Sequence, residues 1–395
     1  MNILFYLGHP AHYHLFKHVI SYFKEKGHGV HVLIKKKDVL EDLLDEEGVE
    51  YLNIFPKTRG GSKMAMAKTI LKRNYLLMNY CRKNKPDLLV GTSVENTHIG
   101  KLLGIPSINV NEDDHDVVPL YSQLSYPLAN TILAPSSCST GRWEYKTIHY
   151  EGYHELSYLH PQQFTPDRRI AEKYIDPARK SFLIRFAKLN AHHDKGIRGI
   201  SPEIADNIIK KLEPQGKVYI TSEKKLDRQF EPYRININPI DMHHVMAFSH
   251  LYIGDSQTMA AEAGVLGTPF IRFNDFVGRI GYLNELENRY QLGYGISPSE
   301  PEKLFSVIDF LLDMRSSKEF FQARRMTMLK DKINVNRFLI WFLENFPKSK
   351  QIMNRMPAYQ HNFSMHSEHL LPKEPQQNVI VREKIPVKSI PLNQP

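Results

Sequence analysis

The densest run of reactive side chain types is GHPAHYHLFKH, residues 8–18. It sets His9, His12, His14 and His18 directly behind the apolar stretch NILFYL, residues 2–7. Imidazole titrates near ~6.5, so a histidine on such a turn is suited to take a proton from a hydroxyl near neutral pH. The rival roles are metal ligation and capping of the turn. His9, His12 and His14 show no zinc-type spacing, and the HHD at 192–194 is remote in sequence, so no metal is expected. A carboxylate neighbour would orient a basic histidine. Glu95, Glu112, Asp113 and Asp114 all fall just after predicted strands.

A second cluster is LYIGDSQTMAAEAGVLGTPFI, residues 251–271. A strand ends at Gly254, and a helix opens at once with Asp255 or Ser256 as its cap. The free N–H groups and positive dipole end of such a helix bind anions. Glu262 lies nearly two turns in, on the side of Ser256, where a carboxylate can accept hydrogen bonds from a diol. An ordinary capped helix with a surface glutamate is the plainer alternative.

These residues need elements to hold them. Short apolar runs at 2–7, 30–34, 51–54, 86–91, 105–111, 130–135 and 146–152 read as buried strands, with helices at 14–26, 38–47 (capped by Asp38) and 63–84. A second series follows, with strands at 181–187, 217–221, 234–238, 251–255 and 269–273. Its helices are predicted at 201–213, 241–249, 256–266, 300–315 and 317–345. Ser201 and Pro202 give the first of these an N-cap and a proline at its first position. Strands alternating with helices imply parallel sheets with right-handed crossovers. The fold class is therefore α/β, with two doubly wound Rossmann-like domains facing a cleft and a disordered C-terminal tail. The divisions are 1–155, a hinge at 156–178, 179–330, a helix at 331–346 crossing back to the first domain, and a flexible tail at 347–395 rich in Pro, Gln and Lys. Ligands of open α/β sheets bind at the carboxyl ends of the strands.

Composition limits the classes. The chain has 395 residues, 42% hydrophobic and 24% charged, with a formal charge of +9. A mild basic surplus favours anionic ligands. Cys81 and Cys138 are too few and too far apart for a disulfide scaffold, and no apolar run reaches the ~18 residues that span a bilayer. A cytoplasmic protein is expected. The segment 63–85 carries seven basic residues among Met, Leu and Ile. Packing on a sheet is its first reading, and a peripheral place at the inner face of the membrane is the second. The Gly-rich loop 58–62 lacks P-loop spacing and reads as an acceptor-side loop. Basic and aromatic residues do not alternate, so nucleic acid is not an expected partner.

The stretch DSQTMAAEAGVLGTP, 255–269, is similar to the DSGG-x-QEEA-x-x-LG-x-P run of the non-hydrolysing UDP-N-acetylglucosamine 2-epimerases, proteins of the glycosyltransferase B fold. PDLLVGTSVENTHIGKLLGIPSINVNE, 86–112, resembles an earlier region of that family. FYLGHPAHYHLF followed by EKGHGVHVLI resembles the opening of an archaeal and bacterial domain family of unknown function with this fold, and the chain is identified as a member of it over residues 1 to about 345.

The resemblance implies a nucleotide-sugar site. Ser256 and Gln257 would offer N–H groups to a diphosphate, Glu262 would hold the ribose, and Arg185 and His193 would line the cleft. Gly8 and His243 are grouped with them. Glu112 matches a glutamate of the epimerases. His12 stands where the peptidoglycan N-acetylglucosaminyltransferase carries the histidine of its GGTGGH loop, which makes it the expected general base, with Glu112 and Glu95 as its carboxylates. The chain also departs from the epimerases. Gln257-Thr258 replaces Gly-Gly, Ala261 replaces the first paired glutamate, GTS replaces GDT, and His-Pro-Ala-His replaces an Arg-Pro-Glu loop. These differences favour a metal-independent glycosyltransferase, with no cofactor beyond its nucleotide-sugar donor and a sugar or lipid-linked acceptor, in surface polysaccharide or glycoconjugate synthesis. A nucleotide-sugar 2-epimerase and a non-catalytic nucleotide-sugar binding protein are the alternatives.

Overall fold

The computed structural model describes residues 1–35, 39–54, 63–176, 178–186, 198–222 and 226–365. Its first sheet contains β1 (Asn2–Leu7), β2 (Gly29–Ile34), β3 (Leu52–Asn53), β4 (Leu88–Gly91), β5 (Ser107–Val110), β6 (Thr131–Pro135) and β7 (Thr147–Tyr150), in the order β3-β2-β1-β4-β5-β6-β7. Its second contains β8 (Ser181–Phe186), β9 (Lys217–Ser222), β10 (Leu251–Gly254), β11 (Phe270–Phe273) and β12 (Gly293–Ile296), in the order β12-β11-β10-β8-β9. Every paired register is parallel. Helices cover both faces, and so β4, β5, β6, β10 and β11 are buried along their whole length.

The order of each sheet reverses once, between β1 and β4 in the first and between β8 and β10 in the second. Chains leaving the two strands at such a point diverge to opposite faces and leave a crevice. At the first crevice β1 and β4 lie close together. Gly91 adopts φ +148°, and a Cβ there would stand 2.6 Å from the Tyr6 carbonyl oxygen.

The structure revises several sequence boundaries. The stretch 234–238 makes only an isolated bridge from Arg234 to Ile220, while GYGI at 293–296 is a strand that its glycines concealed. The helix expected over 317–345 is two helices, Ser317–Asp331 and Val335–Glu344. Between them the Ile333 amide is drawn to the Glu151 carbonyl, and Asn334 caps the second helix at the Arg337 amide. The Val335–Glu344 helix packs on the first domain, where Tyr22 donates to Glu344. Order continues past 347. A helix at Lys348–Arg355 buries Met353, and Phe363 packs against Phe338. Residues 348–365 are thus part of the fold, and 366–395 lie outside the described residues, as does Asp38. The start of the expected hinge is core, with residues 152–160 all buried.

The domains meet through specific groups. Asp114, after β5, accepts from the Ser139 amide at 2.8 Å and from the Gly281 amide at 2.7 Å. Gly281 opens a short helix of the second domain, and a Cβ on it would collide with the Ser137 carbonyl oxygen. Gly281→Ala should therefore loosen the docked arrangement and destabilise the protein by about 1–3 kcal/mol. Urea unfolding and the radius of gyration in solution check this. An unchanged midpoint together with an unchanged radius would contradict it.

Candidate functional site

The helix Pro10–Glu25 begins earlier than its hydrophobic spacing indicates, and this sorts the histidines. His9 is its N-cap, with the ring accepting from the Ala11 amide. His12 turns to the crevice between β1 and β4. His14 points to the domain interface, stacked on Tyr158 with ring centres 5.1 Å apart and edge-on to His243 at 5.0 Å. The cluster therefore divides into a cap, a crevice residue and an interface residue. Among the described residues no group of three or more His, Cys, Asp or Glu side chains is placed to hold a metal ion.

The crevice is a cavity of about 570 Å³. Gly8 and His12 enter it from the end of β1, Lys35 from β2, and Thr92, Ser93 and Glu95 from β4. Arg73 lines it from the helix Lys63–Asn84, as do Asp116 and Val118 from the segment after β5. Arg279 reaches it from the second domain, so the cavity belongs to both halves. The Gly8 amide donates to His12 Nδ1 at 3.2 Å, and the Thr92 hydroxyl stands 2.8 Å from Nε2. With Nδ1 accepting, the neutral ring carries its proton on Nε2 and offers a donor. Glu95, on the first turn of the helix Val94–Leu103, is buried with Arg73 Nη1 3.5 Å from its carboxylate. His12 and Glu95 thus share a cavity, with Gly8 beside them.

Glu112 does not line that cavity. Its carboxylate takes the His154 amide at 3.2 Å and faces His154 Nδ1 at 3.3 Å. Burial raises the Glu112 carboxyl well above its ordinary range and holds His154 down at about 3, so both groups are pushed toward their neutral forms. The expected partnership of Glu112 with His12 is replaced by this pair, because the loop after β5 bends under the His154–Ser157 turn.

The second crevice carries the Ser256 helix. Ser256 caps it, its Oγ accepting from the Met259 amide, and leaves the Gln257 and Thr258 amides in the first turn, where no intrahelical acceptor exists. Arg185 pairs in register with Gly254 and so stands at the same crevice. Glu262 is buried, accepting from the Tyr158 hydroxyl at 2.8 Å and facing His243 Nε2 at 3.0 Å. His243 and Glu262 are thus brought together, with Tyr158 of the crossover segment as a third member. His193 lies outside the described residues, as does the 58–62 loop.

Sequence reasoning passed over Glu155. It is fully buried, and both carboxylate oxygens lack a hydrogen-bond partner. Burial raises its carboxyl well above 4.5, with Glu112 and Glu262 adding to the effect. The signal was the pair of ionisable residues set among aromatic and apolar ones in GYHELSYLH, 152–160.

Two parallel sheets with facing crevices at their switch points, closed by a helix returning to the first domain, define the glycosyltransferase B fold. Solved structures agree. A putative UDP-N-acetylglucosamine 2-epimerase from Listeria monocytogenes superposes with a TM-score of 0.63 at 12% identity, covering 88% of this chain and 97% of its own. UDP-GlcNAc 2-epimerase from Neisseria meningitidis, bound to UDP-GlcNAc, gives 0.55 at 16% identity over 83% and 98%. The calicheamicin glycosyltransferase gives 0.55 at 12% over 88% and 99%. No curated protein matches the sequence. The chain belongs to the DUF354 family, described as a protein of unknown function, whose model matches residues 1–276.

The unpartnered Glu155 carboxyl makes stability depend on pH. A raised folded pKa means that its contribution is fully present below the unfolded value of 4.5 and is lost as pH rises through the folded value. Glu155→Gln should therefore flatten the decline in unfolding free energy above pH ~4.5, measured by urea titration from pH 4 to 9. Parallel slopes for the two proteins would contradict the assignment.

Proposed function

We propose that the protein is a glycosyltransferase that takes a nucleotide-sugar donor, of the uridine class, at the second-domain crevice and an acceptor in the cavity of the first. The observation that carries this reading is the shared cavity: Arg279 of the second domain lines the same space as His12, Thr92 and Glu95 of the first. The structural neighbours that carry UDP-GlcNAc support the donor class.

The diphosphate would lie at the Gln257 and Thr258 amides, with Arg185 alongside, where helix N-terminus and cation offset the charge that grows on the leaving group. Glu262 would hold the ribose after giving up the Tyr158 hydroxyl. The acceptor oxygen attacks the anomeric carbon, the bond from that carbon to the diphosphate oxygen breaks, and the nucleoside diphosphate departs. The acceptor proton must go to a group with a free lone pair. Glu95 offers one as the residues stand. His12, with its Nε2 proton facing Thr92, would serve as base only after Nδ1 leaves the Gly8 amide. Docking of the two domains excludes water and aligns donor with acceptor. A nucleotide-sugar 2-epimerase remains the second reading, favoured by the epimerases among the neighbours.

A thermal-shift panel of nucleoside diphosphates and their sugars tests the donor site, because a ligand bound only by the folded state raises the melting temperature. A uridine nucleotide should stabilise the wild type and lose most of that effect in Glu262→Gln. Glu95→Gln should keep the shift while lowering turnover roughly 10²–10⁴-fold. An absence of any nucleotide shift in the wild type would remove the reading.

A further inference from the structure

The helix Lys63–Asn84 is unlike the other helices that cover the first sheet. Its 22 residues include Lys63, Lys68, Lys72, Arg73, Arg82 and Lys83 and not one Asp or Glu. Its inner side is accounted for: Arg73, Leu77 and Cys81 are buried, and Leu77 and Cys81 pack with Leu4, Tyr6 and Leu89 of the sheet. Its outer side is not polar. Leu71 is 68% exposed and Tyr75 60% exposed, spaced four residues apart and so on one face. Lys68, Lys72, Arg82 and Lys83 are exposed on the same side. The next helix, Val94–Leu103, packs beside it and adds exposed Lys101 and Leu102, the latter 65% exposed.

This face borders the cavity. Ile70 and Arg73 line the cavity from the same helix. Leu120 lines it from the other side and is 45% exposed, so it stands at the mouth. Large apolar side chains left in water among lysines and arginines are the composition of a surface that lies in a lipid headgroup layer. The apolar side chains enter the acyl boundary, and the cations meet anionic heads. A nucleic acid would use the cations but gains nothing from exposed leucines.

We propose that the face formed by Lys68, Leu71, Lys72, Tyr75, Lys101 and Leu102 docks on an anionic membrane and sets the cavity mouth at the lipid surface. The acceptor would then be a lipid-linked, membrane-embedded molecule whose head enters the cavity beside His12 and Glu95. This acceptor class rests on the transferase reading, whereas the docking face stands on its own geometry.

The test is co-sedimentation of the full chain with extruded vesicles of phosphatidylcholine alone or mixed with phosphatidylglycerol. The variants are Leu71→Glu/Tyr75→Glu and Lys68→Gln/Lys72→Gln, each with its melting temperature measured. Wild type should bind the phosphatidylglycerol vesicles and bind phosphatidylcholine at least about tenfold more weakly. Each double variant should lose about tenfold in partitioning while melting near the wild type, because the changed side chains are exposed. Wild type free of the anionic vesicles, or Leu71→Glu/Tyr75→Glu still bound, would overturn the proposal. So would equal binding of wild type and that variant to single-stranded RNA with no vesicle binding. The nucleotide panel is scored separately. Vesicle binding without any nucleotide shift would leave the docking face standing and remove the transferase reading, and the converse would do the reverse.

Discussion

A buried hydrogen bond from Tyr158 to Glu262 ties the crossover segment of the first domain to the Gln257–Leu266 helix of the second. Much of the rest depends on it. Tyr158 stacks on His14, which holds the Pro10–Glu25 helix, and that helix begins with the residues that line the first crevice. Glu262 meanwhile faces His243 and lies on the helix that opens at Ser256. With the Asp114–Gly281 contact, this hydroxyl links the crevice between β1 and β4 to the crevice between β8 and β10. An intramolecular hydrogen bond typically contributes about 0.5–1.5 kcal/mol, and leaving a buried partner unsatisfied costs about 1–3 kcal/mol. A single bond of this size holds the arrangement without making it irreversible.

The interface is rich in groups that water normally solvates. Glu155 and Glu262 are buried there, together with His14, His154 and His243, and Glu112 is partly buried beside them. Burial pushes Glu112 and Glu155 toward the protonated form, and His14 and His154 toward the neutral one. Around these four groups the shifts favour neutral hydrogen bonds and aromatic contacts over ion pairs. Other contacts at the domain junction are charged. Lys332, itself buried, meets Glu285 at 2.8 Å, and Glu285 also accepts from Tyr153. The carboxylate of Glu285 is held below its ordinary value despite its burial, chiefly by the Lys332 hydrogen bond and charge.

The alternation of strands and helices was legible because parallel strands buried on both faces leave continuous apolar runs such as ILFYL and LLVG. What escaped had physical reasons. GYGI hid a strand behind two glycines. RININ has strand character yet finds a single bridge. The 317–345 helix carries no proline or glycine to mark its break, which comes from the Asn334 cap and the pull of Glu151 on the Ile333 amide. At the site, strand ends showed which edge of the sheet would carry the cavity. They did not show direction, so Glu95 and His12 converge while Glu112 turns to His154. The division at 156 puts Leu156–His160 in a hinge because Pro and Gln follow closely, although Tyr153 and Tyr158 mark a core. The strand-to-helix change marked a cap at Asp255 or Ser256, and the structure assigns it to Ser256.

The most direct test of the account is amide hydrogen exchange of the full chain with and without a saturating uridine diphosphate sugar. Donor binding at the second crevice, with Glu262 exchanging the Tyr158 hydroxyl for the ribose, predicts slowed exchange at the first turn of the Gln257–Leu266 helix and faster exchange at 154–158, where that bond is lost. Protection confined to the first-domain cavity, with the 257–266 helix unchanged, would contradict the account.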